Sequence, residues 1–167
     1  MFSFAASDAP GRHESDKEVD VTEVDELGAR LRRLEDLEEI RRLFESYGYY
    51  LDHGLWTEYA SLFAEDGKMR LGPMRADGRE EIEKVARELI GAQFDPHADR
   101  VGLVHLISSP RIELDGDRAT AEVMWTVVSR SADGTAVVSG QGRHLDDLVR
   151  EGGRWRIQKR RGFQDIP

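Results

Sequence analysis

From residue 22 onward the chain repeats apolar positions at three- and four-residue intervals. Leu27, Leu31, Leu34, Leu37, Ile40, Phe44, Tyr47 and Leu51 fall on one stripe of a long helix. Thr22, with Asp25 three places on, resembles a capping box, and Gly54 marks the expected end. The pattern then predicts a short helix over 57–63 and a brief strand over 68–71 before the Gly72-Pro73 break. A third helix is predicted over 78–94, with Ile82, Val85, Ala86, Leu89 and Ile90 on its apolar side. The second half reads differently. Segments 101–114, 119–130, 136–149 and 155–163 are rich in β-branched and aromatic residues and lack a helical stripe, so they read as strands. Asp115-Gly116, Asp133-Gly134 and Gly152-Gly153 between them tolerate the positive φ of tight turns, which predicts successive antiparallel hairpins. Helices first and a meander second define an α+β half-barrel, with the helices covering the apolar face of the sheet.

Composition adds boundaries and exclusions. Residues 1–21 are rich in Ser, Asp, Glu, Gly and Pro, too polar to offset the entropy of ordering, so they read as a flexible acidic arm before one domain over 22–167. The 167 residues leave no room for a second folded domain. A net charge of −9, without a basic run interleaved with aromatics, argues against nucleic acid as a partner. No apolar stretch approaches the roughly 20 residues that span a bilayer, and the start lacks the pattern of a signal peptide, so no membrane partner and a cytoplasmic location are expected. With no Cys, thiol nucleophiles, thiolate metal sites and disulfides are excluded. The five histidines, His13, His53, His97, His105 and His144, show no helical ligand spacing, and no glycine fingerprint for nucleotides precedes a helix, so neither a metal nor a cofactor is expected.

Chemistry must therefore come from carboxylates, imidazoles, the hydroxyls of Tyr and Ser, or Lys amines. Strand alternation puts His105 on the same face as Val101, Leu103 and Ile107, toward the core. A buried imidazole needs a partner: either a backbone carbonyl, which makes it structural, or an acid, which makes it a base. Asp52, near the end of the first helix, is the candidate acid, although its angle places it off the centre of the Tyr47/Leu51 stripe. Tyr47 lies on that stripe and is either a core residue or a neutral acid aimed into the same cavity. Ala121, Val123, Trp125 and Val127 share one strand face and read as lining. His144 follows Gly140 and Gly142 on a face whose glycines mark either room for a ligand or a bulge. Lys159-Arg160-Arg161 reads as a solvated face, or as one Arg at a sheet end holding an anion.

From about Leu34 to Phe163 the chain resembles the SnoaL-like branch of the nuclear transport factor 2-like superfamily. The likeness rests on Tyr50-Leu51-Asp52-x-x-x-Trp56-x-x-Tyr59-x-x-Leu62-Phe63-x-x-Asp66 and on Gly78-Arg79-Glu80-Glu81-Ile82. It continues through His105, Ile112-x-Leu114-x-Gly116-Asp117-x-Ala119, Gly142-x-x-x-Asp146 and Trp155-Arg156-Ile157. It implies a cone-shaped α+β barrel, with N-terminal helices packed in a strongly curved antiparallel sheet. Scytalone dehydratase, bile-acid 7α-dehydratase and lindane dehydrochlorinase, members of that superfamily, are similar in using an Asp–His pair for elimination. The matching positions are Asp52 and His105, with Tyr47 as auxiliary acid. The resemblance also implies substrate contacts at Tyr50, Trp56, Met69, Trp125, Val127, His144 and Arg160, with Arg160 and Arg161 one register step apart. The water-binding Tyr of the dehydratases has no counterpart in Lys68-Met69-Arg70-Leu71.

The expected function is a cofactor-independent lyase or isomerase that abstracts a proton from a small hydrophobic substrate in an apolar pocket. A non-catalytic ligand-binding module, or a structural protein like a dioxygenase small subunit, are the alternatives. The family's habit of packing sheet faces implies a homo-oligomer, dimer or trimer.

Overall fold

The computed structural model describes residues 21–91, 102–108 and 110–166. The arm expected over 1–21 lies outside these residues except for Val21, which is helical; so do Phe94, Val101 and the Leu89 side chain. Helix α1 (Val21–Asp52) is followed by α2 (Trp56–Ser61), strands β1 (Phe63–Leu71) and β2 (Met74–Asp77), and α3 (Arg79–Val85). Strands β3 (Leu103–Ile107), β4 (Arg111–Asp115), β5 (Arg118–Arg130), β6 (Ala136–Glu151) and β7 (Arg154–Ile166) complete the chain. No helix among the described residues is long and apolar enough to cross a membrane.

The sheet runs β2-β1-β7-β6-β5-β3, with β4 also paired to β5. It differs from the expected all-antiparallel barrel. β1 pairs with β7 in parallel, so the sheet is mixed, and it curves without closing. A bulge between Phe63 and Lys68 starts the parallel pairing. A Cβ on Gly67 there would lie 2.9 Å from the Ala64 carbonyl oxygen, so only glycine fits.

Several elements are corrected by backbone chemistry. The helix expected over 57–63 ends at Ser61, and Phe63 instead opens β1. Gly72-Pro73 does not end the local sheet but turns it into β2. The third helix is α-helical only through Val85 and widens into a π-turn over Ala86–Ile90. The strand expected over 101–114 divides into β3 and β4, since Pro110 in the intervening segment has no N–H for the ladder. Both halves still pair with β5, at Trp125 to Ser129 and at Arg118 to Glu122.

The core lies between the concave face of the sheet and the C-terminal half of α1. Ile40, Leu43, Phe44, Tyr47 and Leu51 pack with Tyr59, Phe63, Met69, Val123, Trp155 and Ile157. The expected single stripe of α1 divides: Leu27, Leu31 and Leu34 are exposed, while Ile40 onward is buried. Gly48 sets the approach of helix to sheet. A Cβ there would sit 3.2 Å from the His105 carbonyl oxygen, so the glycine lets α1 run close along β3.

Candidate active site

That close approach brings the last residue of α1 against the middle of β3. Asp52 is 8% exposed and sits where a carboxylate faces the negative end of its own helix. Its compensation comes from His105. The His105 backbone N–H donates to Oδ2 at 2.9 Å, with Oδ1 at 3.1 Å, and the ring Nδ1 lies 2.6 Å from Oδ1. An ionised carboxylate only accepts, so Nδ1 carries the ring proton and Nε2 presents its lone pair. The alternation expected on β3 holds: Leu103, His105 and Ile107 are partly buried while Val104 and Leu106 are exposed.

His105 forms part of the wall of a chamber of about 350 Å³. Tyr47, Leu51, Leu71, Ile90 and Leu103 line it on the helix and edge side, and Trp125, Val127, His144 and Phe163 on the sheet side. A larger surface depression of about 770 Å³ along β4, β5 and β6 is lined by carboxylates such as Asp66, Glu113 and Asp147 and, among the described residues, by no imidazole or phenol.

Four rings converge in the chamber. Tyr47 is edge-on to His105 and to His144, with centroids 6.4 and 5.4 Å apart, and Trp125 lies 6.0 Å from His144. Burial pushes the Tyr47 hydroxyl above its usual pKa against the pull of Arg160, so it stays protonated at neutral pH. Burial, helped by the positive charge of Arg160 and by His105, holds His144 well below the usual imidazole range and therefore neutral. The glycines before His144 make room for Trp125 rather than for a ligand. A Cβ on Gly142 would fall 2.5 Å from Trp125 Cζ2 and 1.9 Å from the Phe163 carbonyl oxygen. Trp125 Nε1 and His144 Nδ1 are buried without a hydrogen-bond partner among the described residues.

Beneath Tyr47 lies a charged pair that the sequence reading did not identify. Arg160 is 0% exposed and donates from Nε and Nη2 to the two oxygens of Asp146 at 2.9 and 2.6 Å. Its guanidinium is 4.2 Å from the centroid of the Tyr47 ring, and Asp146 holds its pKa above the usual value even though burial opposes the charge. A register shift between Asp147 and Leu148 leaves Gln158 out of the ladder, and this makes Arg160, not Arg161, the inward residue. Alternation offered a signal: Asp146 falls on the inward face of β6 with His144 and Leu148, and an inward acid needs a cation.

Of the residues expected to meet a substrate, Trp125, Val127 and His144 line the chamber together with Tyr47 and His105. Four others do not. Met69 is fully buried and accepts a hydrogen bond from the Tyr59 hydroxyl at 3.3 Å. Trp56 packs against Gly54 and Gly91, Tyr50 packs beside Tyr49, and Arg160 is spent on Asp146. Leu71, Ile90 and Phe163, which do line the chamber, come from strand and helix ends whose meeting depends on the parallel β1–β7 pairing and the π-turn.

With the helix-in-sheet architecture and the Asp52–His105 contact defined, comparison with known proteins places the chain. The model of the SnoaL-like domain matches residues 32–161. The chain belongs to the SnoaL-like family. An NTF2-like protein with a cystatin-like fold from Novosphingobium aromaticivorans is similar to this SnoaL-like protein at 29% identity. It covers 87% of this chain and 90% of its own, with a TM-score of 0.72. Rv3472 of Mycobacterium tuberculosis, a protein of unknown function, is 28% identical over 85% of this chain and 75% of its own, with a TM-score of 0.65. A protein provisionally assigned as a scytalone dehydratase, also from N. aromaticivorans, shares the fold. It is 24% identical over 80% of this chain and 87% of its own, with a TM-score of 0.67. No curated protein matches the sequence of this SnoaL-like chain.

Proposed function

We propose that this SnoaL-like protein is a cofactor-independent lyase or isomerase acting on a small hydrophobic molecule in the chamber. The observation that carries the reading is the 2.6 Å contact between His105 Nδ1 and Asp52 Oδ1 at the edge of an apolar cavity. His105 Nε2 takes a proton from a carbon acid of the substrate, and Asp52 stabilises the imidazolium that results. The electron pair left on carbon expels a β-leaving group such as hydroxide, or shifts a double bond into conjugation. The Tyr47 hydroxyl, kept protonated by burial, donates to the oxygen on which negative charge develops. Leu51, Leu71, Ile90 and Val127 exclude water from the base and select apolar substrates.

Among the described residues no Lys or Arg lines the chamber, and the Arg160 behind it is paired with Asp146. A neutral substrate therefore fits better than a carboxylate. The test is proton exchange into D₂O of a panel of neutral cyclic ketones, followed by proton NMR. Wild type is expected to accelerate exchange of at least one α-proton, and His105→Gln to lose that acceleration. Equal exchange by both proteins across the panel counts against the reading.

A further inference from the structure

Helix α1 carries two apolar stripes, and only one is used by its own sheet. Ile40, Phe44, Tyr47 and Leu51 are buried. Val24, Leu27, Leu31 and Leu34 follow the same three- and four-residue spacing but are 52, 61, 55 and 61% exposed. Leu31 and Ile40 are nine residues apart, two and a half turns, so they point about 180° away from each other.

The rest of the domain meets the N-terminal half of α1 from the side opposite the exposed stripe. Trp155 donates from Nε1 to Asp36 at 3.1 Å and from its backbone to Glu39 at 3.0 Å, and Arg150 is paired with Asp36. Ala29, Arg32 and Arg33 border a groove against Leu114 and Asp117 of the β4–β5 hairpin. With Val24 and Leu31 at heptad position a and Leu27 and Leu34 at d, these contacting residues occupy b, c and f, while Glu35, which also borders the groove, sits at e on the flank of the ridge. The a/d ridge thus faces away from the body.

We propose that residues 24–34 pair with the same residues of a second copy of this chain as a parallel two-stranded coiled coil. Val24 at a with Leu27 and Leu34 at d follows the pattern of parallel dimers. The flanking charges fit the same arrangement. Arg30 at g meets Glu35 at the following e of the other copy, twice by symmetry, and neither makes an ion pair within the chain among the described residues. An antiparallel pairing would instead set the two Arg30 side chains beside each other. Two heptads alone are too short to hold a helix in water, but here the packed C-terminal half of α1 supplies the nucleus. Glu38 occupies the next a position and ends the zipper. Because f faces lie outward in such a dimer, the two bodies do not collide.

The experiment uses the full chain and light scattering coupled to gel filtration. Wild type is expected at twice the 19.0 kDa chain mass, and Leu27→Glu/Leu31→Glu at the chain mass with unchanged far-UV circular dichroism. Since the chain has no native cysteine, Leu31→Cys gives a single thiol, which on oxidation should yield a covalent dimer. Arg30→Glu should raise the dissociation constant, and adding Glu35→Arg should restore it. A wild type that stays at the chain mass at high micromolar concentration overturns the proposal. So does a dimer that survives Leu27→Glu/Leu31→Glu, as pairing through the outer sheet face at Leu106 and Met124 would. A dimer that dissociates with Leu27→Glu/Leu31→Glu but never cross-links through Leu31→Cys overturns the parallel arrangement.

Discussion

Asp52 holds His105 at two points, the backbone N–H and the ring Nδ1, so a single carboxylate fixes both the place of the strand residue and the tautomer of its imidazole. The helix end and the strand are thereby locked to one another at the site where the base is needed. This double contact also separates the effects of different substitutions.

Asp52→Asn keeps an acceptor oxygen for the backbone N–H but removes the charge that stabilises the imidazolium. Turnover is expected to fall about 10²–10⁴-fold with little change in melting temperature. Asp52→Ala should lose activity to a similar degree and also lower the melting temperature, because the His105 N–H then lacks its acceptor. Steady-state rates and thermal melts of the two variants check the distinction.

Tyr47→Phe removes the hydroxyl while keeping the ring against His144 and Arg160. The expected outcome is a lower kcat at nearly constant KM, as for a group that acts mainly on developing charge. A rise in KM alone would make Tyr47 a binding residue.

Acidification tests His144. Its pKa is lowered in the folded protein from the ordinary imidazole value of 6.5, so the unfolded chain binds the proton first as pH falls. The native state is then favoured above pH 6.5 and loses stability below it, at a slope approaching about 1.4 kcal/mol per pH unit for this one group. Denaturant titrations from pH 7.5 to 5 should show a shallower decline for His144→Phe than for wild type.

The Asp146–Arg160 pair is expected to behave asymmetrically. Asp146→Ala leaves a fully buried guanidinium unpaired and should cost about 3–5 kcal/mol. Replacing both residues, as Asp146→Leu/Arg160→Met, should cost clearly less. Urea midpoints of single and double variants read the difference.

The sequence made the sheet face of the site legible and left its depth obscure. Period-two alternation sufficed to turn Leu103, His105 and Ile107 inward, and likewise Ala121, Val123, Trp125 and Val127, because one step of register inverts a strand. Asp52 could not be buried by periodicity, since what draws it in is the His105 N–H, 53 residues away. Met69 and Arg160, substrate contacts by resemblance alone, are fully buried outside the chamber lining, and neither alternation nor resemblance carries information about depth. The parallel β1–β7 pairing joins segments far apart in the chain, Phe63 to Ile157 and Lys68 to Lys159, with no local turn signal to announce it. Leu27, Leu31 and Leu34 on α1 were read as core because spacing reports a stripe but not what covers it.

The central claim is that Asp52 holds His105 as an Nδ1–H tautomer with a free Nε2 lone pair. Nitrogen-15 NMR of histidine-labelled protein at pH 7.5 reads this directly, with His105→Gln assigning the signals. The account predicts a protonated Nδ1 and an unprotonated Nε2 for His105, and a clear change of both shifts in Asp52→Asn. An Nε2–H tautomer, or His105 signals indifferent to Asp52→Asn, would contradict it.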